Sequence, residues 1–218
     1  MAEFIITEEA VALIPNGASI MCGGFLGCGG AHQIMEALVR KGVRDLTIIA
    51  NDSPRTGYSL AKLIDNGQVK KLVASHVGMN PNVASQMNSG ELELVLVPQG
   101  SLVEMIRAGG AGLGGVLTPT GLGTVVAKGK QIINVDGRDF LLEKPIRADF
   151  AILSGYKVDK VGNIWYKGTT KNFSPFMAMA ADTVICEAEN IVETGEIEPE
   201  NVMTSGIFVD YVVNGGNL

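Results

Sequence analysis

Four glycines crowd seven positions in Gly23-Gly-Phe-Leu-Gly-Cys-Gly29, directly after the apolar run Ser19 to Cys22 and directly before a helical pattern that opens at His32. A glycine corner of this kind lets backbone approach a ligand closely and leaves free N–H groups at a helix start, chemistry suited to an anion or a pyrophosphate. The competing reading, a tight strand-to-helix turn, accounts for any single glycine and not for this density. Two polar residues sit at equivalent places. Gln99, in Pro98-Gln-Gly100 after the run Leu92 to Val97, can donate an amide hydrogen bond to a thioester or acyl oxygen as negative charge develops on it; a solvent-facing turn residue is the plainer reading. Asn51-Asp52 closes the run Leu46 to Ala50, where it can bond a carboxylate or cofactor or simply form an Asx turn.

Other reactive residues point to less. His76 follows Lys71 to Ser75 with no Ser or Cys beside it to make a nucleophilic triad and reads as structural. His32 opens the first long helix, and Cys28 is a small filler of the glycine loop. Glu187 and Glu189 fall on one face of an extended segment but read as solvated acids at a strand end rather than an acid/base pair. No dinucleotide fingerprint is present in the first loop, because position 32 is His where the third Gly would stand; the nominal match at Gly110, Gly112 and Gly115 follows a helical segment, and Pro119 falls where its helix would run. No Gly-Lys-Ser/Thr makes a phosphate loop.

These residues need elements to hold them. Ser19–Cys22, Leu46–Ala50, Lys71–Ser75 and Leu92–Val97 read as buried strands, and His32–Lys41, Tyr58–Asn66 and Ser101–Arg107 as helices with one apolar stripe. The alternation predicts an α/β fold: a mostly parallel open sheet with helices on both faces and ligand sites beyond the carboxyl ends of the strands. Asp136-Gly137 between alternating apolar positions predicts a hairpin, hence a small antiparallel excursion over 124–142. The parallel pattern resumes at Phe150–Gly155 and Thr183–Glu187, with a helix-like Phe176–Ala181 between them, so residues 1–218 read as one domain.

Composition narrows the class. The 218 residues are 46% hydrophobic and 6% aromatic with 28 glycines, a compact scaffold of many tight turns. A net charge of -6 without a basic block removes the basis for nucleic-acid binding. Apolar runs stop after about half a dozen residues, too short to span a bilayer, and Met1–Asn16 has no basic flank of a secretory signal. Cys22, Cys28 and Cys186 lack metal-ligand spacing and fit reduced thiols, so a cytoplasmic protein with no structural metal is expected.

Taken together, the Gly23–Gly29 loop, Ile49-Ala-Asn-Asp52, Val97-Pro-Gln-Gly100, Ile106-Arg-Ala-Gly-Gly-Ala-Gly-Leu-Gly114, Thr118-Pro-Thr-Gly-Leu-Gly-Thr124 and Lys167-Gly-Thr-Thr-Lys-Asn-Phe173 resemble the alpha subunit of family I coenzyme A transferases. Within that family the likeness is to acetate or butyrate:acetoacetate CoA-transferases. It departs at Ala31, where the family's loop usually has proline, and at Cys22, where an aliphatic residue is usual. The resemblance implies CoA as cosubstrate, short-chain acyl-CoA and carboxylic acids as substrates, and a beta subunit partner, as α2β2 or similar. It implies ping-pong transfer through a glutamate on that beta subunit, so no nucleophile belongs to this chain. It also implies that Gly23, Gly24, Phe25, Leu26, Gly27, Cys28 and Gly29 line the CoA face, with Gln99 as oxyanion helper and Asn51 in the same cleft. Arg107, Lys167 or Lys171 would offset the phosphates of CoA. Two other readings stand beside it: a phosphosugar isomerase or sensor on a related fold, which would carry its acid/base residues in this chain, and a noncatalytic assembly subunit.

Overall fold

The computed structural model describes residues 2–216. In chain order the strands are β1 (Glu3–Ile5), β2 (Ser19–Cys22), β3 (Leu46–Ala50), β4 (Val69–Ala74), β5 (Glu93–Leu96), β6 (Val116–Thr118), β7 (Ile132–Val135), β8 (Arg138–Glu143), β9 (Ala148–Asp159), β10 (Ile164–Trp165), β11 (Ala181–Val192) and β12 (Tyr211–Asn214). The helices are α1 (Thr7–Ala12), α2 (His32–Lys41), α3 (Ala61–Asp65), α4 (Pro81–Ser89), α5 (Gln99–Gly110) and α6 (Ser174–Met179). The main sheet runs β1-β12-β11-β9-β2-β3-β4-β5, parallel at every pairing along this path, with β10 antiparallel to β9.

The central strands are apolar without interruption because both of their faces are covered. Alternation divides each strand between two cores. Ile20, Cys22, Leu46, Ile48 and Ala50 pack with α2 and α3 residues such as Ile34, Leu38, Leu63 and Ile64. Met21 and Ile49 face the opposite way and pack with Leu102 and Ile106 of α5 and Met177 of α6. Each of the Ile, Leu and Met side chains among them, taken out of water, stabilises the fold by about 1.5–3 kcal/mol.

Three features differ from the sequence expectation. Between β4 and β5 lies α4, which buries only Val83 and so shows no apolar stripe; its signals are Asn80, whose side chain accepts from the Asn82 N–H, Pro81 in the first turn and left-handed Gly90 at the end. The antiparallel excursion is a three-stranded sheet ordered β6-β8-β7. It therefore starts at Val116, earlier than residue 124, because a strand of only three residues is hidden in the glycine-rich stretch. Its β7–β8 hairpin does turn at Asp136 and Gly137, with φ of 50° and 83°, the positive pair that a two-residue turn requires. Beyond the expected strands, β12 extends the sheet and β1 closes that edge.

The order places a switch point at β2, whose neighbours are β3 on one side and β9 on the other. Chain leaving β2, β3 and β9 diverges there, which opens a crevice beyond their carboxyl ends.

Candidate functional site

The glycine loop leaves β2 at this switch point. Phe25 and Cys28 exchange backbone hydrogen bonds of 3.0 and 2.9 Å, closing a two-residue hairpin with φ of 51° at Leu26 and 85° at Gly27. Leucine is strained in that region, and its N–H is held by Asp52 Oδ1 at 3.0 Å. The glycines here let neighbouring chain come close. A Cβ on Gly29 would lie 2.7 Å from the Thr170 carbonyl oxygen, one on Gly23 2.7 Å from Ser174 Oγ, and one on Gly27 would run into the Tyr58 ring. The N–H groups of Gly24, Gly27 and Gly29 have no acceptor among the described residues. Phe25, Leu26 and Cys28 are exposed.

Beside the loop, the ends of β3 and α5 meet. Gln99 Nε2 donates to Asn51 Oδ1 at 2.8 Å. Ser75 Oγ donates to the Asn51 carbonyl at 2.6 Å and lies 3.0 Å from the same Oδ1. Asn51 Nδ2 donates in turn to Asn172 Oδ1 at 3.2 Å. The Asn51 side chain is fully buried, with the Gln99 amide on its oxygen and the Asn172 amide on its nitrogen. Gln99 is exposed. One N–H of its amide is spent on Asn51, which leaves the second N–H and the carbonyl oxygen for whatever enters the crevice.

Two acids flank this arrangement. Asp52 is buried, with Oδ2 lacking any hydrogen-bond partner among the described residues. Burial pushes its carboxyl above the usual range, against the pull of the Leu26 N–H and of His76, whose backbone it meets in a parallel bridge. Glu187 is buried at 6% exposure, and its Oε2 accepts from the Ile34 N–H at 2.9 Å. Burial raises its pKa, while hydrogen bonds from the N–H groups of Ile34, Gln33 and His32 pull the other way.

The sequence expectation of a solvated Glu187 is thus corrected: β11 delivers its carboxylate beneath the first turn of α2, where three N–H groups need an acceptor. The same contact means that the start of α2, offered by the sequence as an anion cradle, is already filled by this chain. Free loop N–H groups remain at Gly24, Gly27 and Gly29 instead. Glu189, two residues on, is exposed and lines a cavity of about 280 Å³ with Gly29, His32, Tyr156, Lys167 and Thr170. Of the basic residues, Lys167 reaches this cavity with its ammonium 4.6 Å from the Tyr156 ring centre. Arg107 is engaged by Glu104 at 2.6 Å, two turns along α5 from Gln99. Ser75, Thr170 and Asn172 also contribute; the sequence singled out none of them as a site residue, although Thr170 and Asn172 lie within the Lys167–Phe173 motif.

A match to the family model described as Coenzyme A transferase covers residues 4–215. The chain is 51% identical over 212 residues to the acetoacetyl-CoA:acetate/butyrate CoA transferase alpha subunit of Clostridium acetobutylicum, covering 97% of each chain. It is 48% identical over 206 residues to the acetate CoA-transferase subunit alpha of Escherichia coli K12, covering 94% of each. The chain belongs to the coenzyme A transferase family. As a family member it also shares its fold with an acyl-CoA transferase of Escherichia coli O157:H7 solved as a thioester complex with CoA, at a TM-score of 0.88 and 22% identity. That alignment covers 98% of this chain and 49% of the larger one, so this CoA-transferase chain spans about half of that protein. Its relatives of matching length are named as alpha subunits, and this chain is a subunit of a CoA-transferase. No helix among the described residues is long and apolar enough to cross a membrane.

Proposed function

We propose that this alpha subunit completes, with a beta subunit, an enzyme that moves CoA between a short-chain acyl-CoA and a short-chain carboxylic acid. The substrates are acetoacetyl-CoA, acetyl-CoA or butyryl-CoA with the corresponding acids, a reading supported by the names of the relatives at about half identity. The observation that carries it is the pairing of Gln99 with Asn51 beside a loop of free N–H groups. This is a set of neutral donors suited to an oxyanion, and it holds no carboxylate to act as the nucleophile. The two acids buried at this end of the sheet, Asp52 and Glu187, both bond backbone N–H groups.

The nucleophile is then a glutamate of the beta subunit. Its carboxylate attacks the thioester carbonyl, and the CoA thiolate leaves, giving an acyl-glutamyl anhydride. The thiolate returns to the glutamyl carbonyl and expels the first carboxylic acid, leaving a glutamyl-CoA thioester. The incoming acid reverses these steps, so the energy of one thioester is kept in the next and neither redox chemistry nor a prosthetic group is called for. On this reading the N–H groups of Gly24, Gly27 and Gly29 and the second N–H of Gln99 stabilise the oxygen on which charge develops at each addition. Lys167 at the adjoining cavity contributes positive charge for the phosphates of CoA. The free cysteines agree with a reducing cytoplasm as the site of the reaction.

The test is a steady-state assay of acetoacetyl-CoA consumption with acetate or butyrate as acceptor, using this chain alone and with its partner subunit. Activity confined to the mixture supports the proposal. Transfer by this chain alone places the nucleophile here and overturns it.

A further inference from the structure

Asn172 has φ of 37° and ψ of −127°, a backbone conformation ordinarily left to glycine. The chain holds it there between two contacts with the glycine loop. Two residues before it, Thr170 packs on Gly29; two residues after it, Ser174 packs on Gly23. Between them the Asn172 side chain turns to the strand ends, where its Oδ1 accepts from Asn51 Nδ2 at 3.2 Å. Residues 170, 172 and 174 therefore grip the exit of the loop, the buried amide and the entry of the loop in turn.

The consequence falls on Gln99. Asn51 Oδ1 accepts from Gln99, so the direction of the Gln99 amide depends on where the Asn51 amide plane lies. Asn172 holds the nitrogen end of that plane. Without its oxygen the buried Asn51 Nδ2 loses an acceptor, and the plane is free to tilt toward another one. A strained residue whose side chain meets the site's buried amide has a physical reason to be asparagine where glycine would fit more easily.

We propose that Asn172 is a positioning residue for CoA transfer, setting the direction of the Gln99 amide through Asn51. The inference rests on the function proposed above and adds a residue to it. The test uses the complex of this chain with its partner subunit. Asn172→Gly lets the backbone keep its conformation without strain and deletes only the side chain. Its kcat falls about tenfold or more, as expected when a reacting group is misplaced by a fraction of an ångström. KM values for acetoacetyl-CoA and acetate stay within about twofold, and the unfolding midpoint stays within about 4 °C of the parent's, because relief of the backbone strain offsets the lost hydrogen bond. On a Gln99→Ala background, safe for folding because Gln99 is exposed, Asn172→Gly causes no further loss beyond about twofold.

A parent-like kcat in Asn172→Gly overturns the proposal. So does a loss that persists in full without Gln99, or one that comes with a midpoint lowered by more than about 4 °C. If the parent complex transfers no CoA, the failure belongs to the proposed function. The positioning claim is then read from side-chain amide NMR resonances of the full chain: shifts at both Asn51 and Gln99 in Asn172→Gly uphold it, and unchanged resonances overturn it.

Discussion

Replacing Glu187 with alanine removes the acceptor on which the first turn of α2 closes. Ile34 is fully buried, so its N–H is left without water or protein to bond, while His32 and Gln33 are half-exposed and recover part of theirs. An orphaned buried donor costs about 1–3 kcal/mol and a lost helix cap about 1 kcal/mol, so Glu187→Ala destabilises the chain by about 2–4 kcal/mol. For a domain of this length that lowers the unfolding midpoint by roughly 4–16 °C. Circular dichroism during urea and thermal unfolding measures both.

The glutamine variant separates charge from shape. Burial raises the Glu187 pKa in the fold, so at low pH the group is neutral in both states and its contribution is fully present. As pH climbs past the ordinary value of 4.5, the unfolded chain ionises first and that stability is lost until the folded group titrates too. Glu187→Gln stays neutral throughout, so its stability relative to the parent rises with pH from about 4.5. An alanine variant within about 0.5 kcal/mol of the parent refutes the capping argument, and a glutamine variant that tracks the parent at every pH refutes the raised pKa.

Other consequences can be measured on the same material. Gly29→Ala places a Cβ 2.7 Å from the Thr170 carbonyl at a φ of 75°, whereas Gly90→Ala, at 79°, meets nothing within 4 Å. Both pay the left-handed penalty of about 1–2 kcal/mol, and only Gly29→Ala adds a backbone clash, so denaturant titration should separate them by at least about 1 kcal/mol. Lys130→Ala strands the Glu143 carboxylate, 3% exposed and paired at 2.6 Å; because Lys130 is itself partly in water, the cost is about 1–3 kcal/mol, and Glu143→Gln on that background restores part of it. Gln99→Ala in the complex lowers kcat by about 10–100-fold with a small change in KM, read by steady-state kinetics.

Where burial decides structure, the sequence was readable. The boundaries of β2 and β3 follow their apolar runs, since both faces of each strand are covered. α4 escaped because one buried valine makes no stripe, and β9 and β11 run past their apolar stretches because parallel partners, not hydrophobicity, hold Lys157 and Asn190 in register. Asn51 and Gln99 stand out as polar residues closing apolar strands, and the fold brings them within 2.8 Å. Asn172 lies 121 residues from Asn51 and is placed by tertiary packing alone. Glu187 looked like a solvated strand-end acid because nothing in its own segment shows that α2 starts above it.

The most direct test of the split-site account is intact mass spectrometry of both chains after mixing the complex with acetoacetyl-CoA and denaturing it in acid. The account predicts that the beta subunit gains one CoA less one water, through a glutamate, while this chain keeps its mass. A CoA adduct on this chain would contradict it.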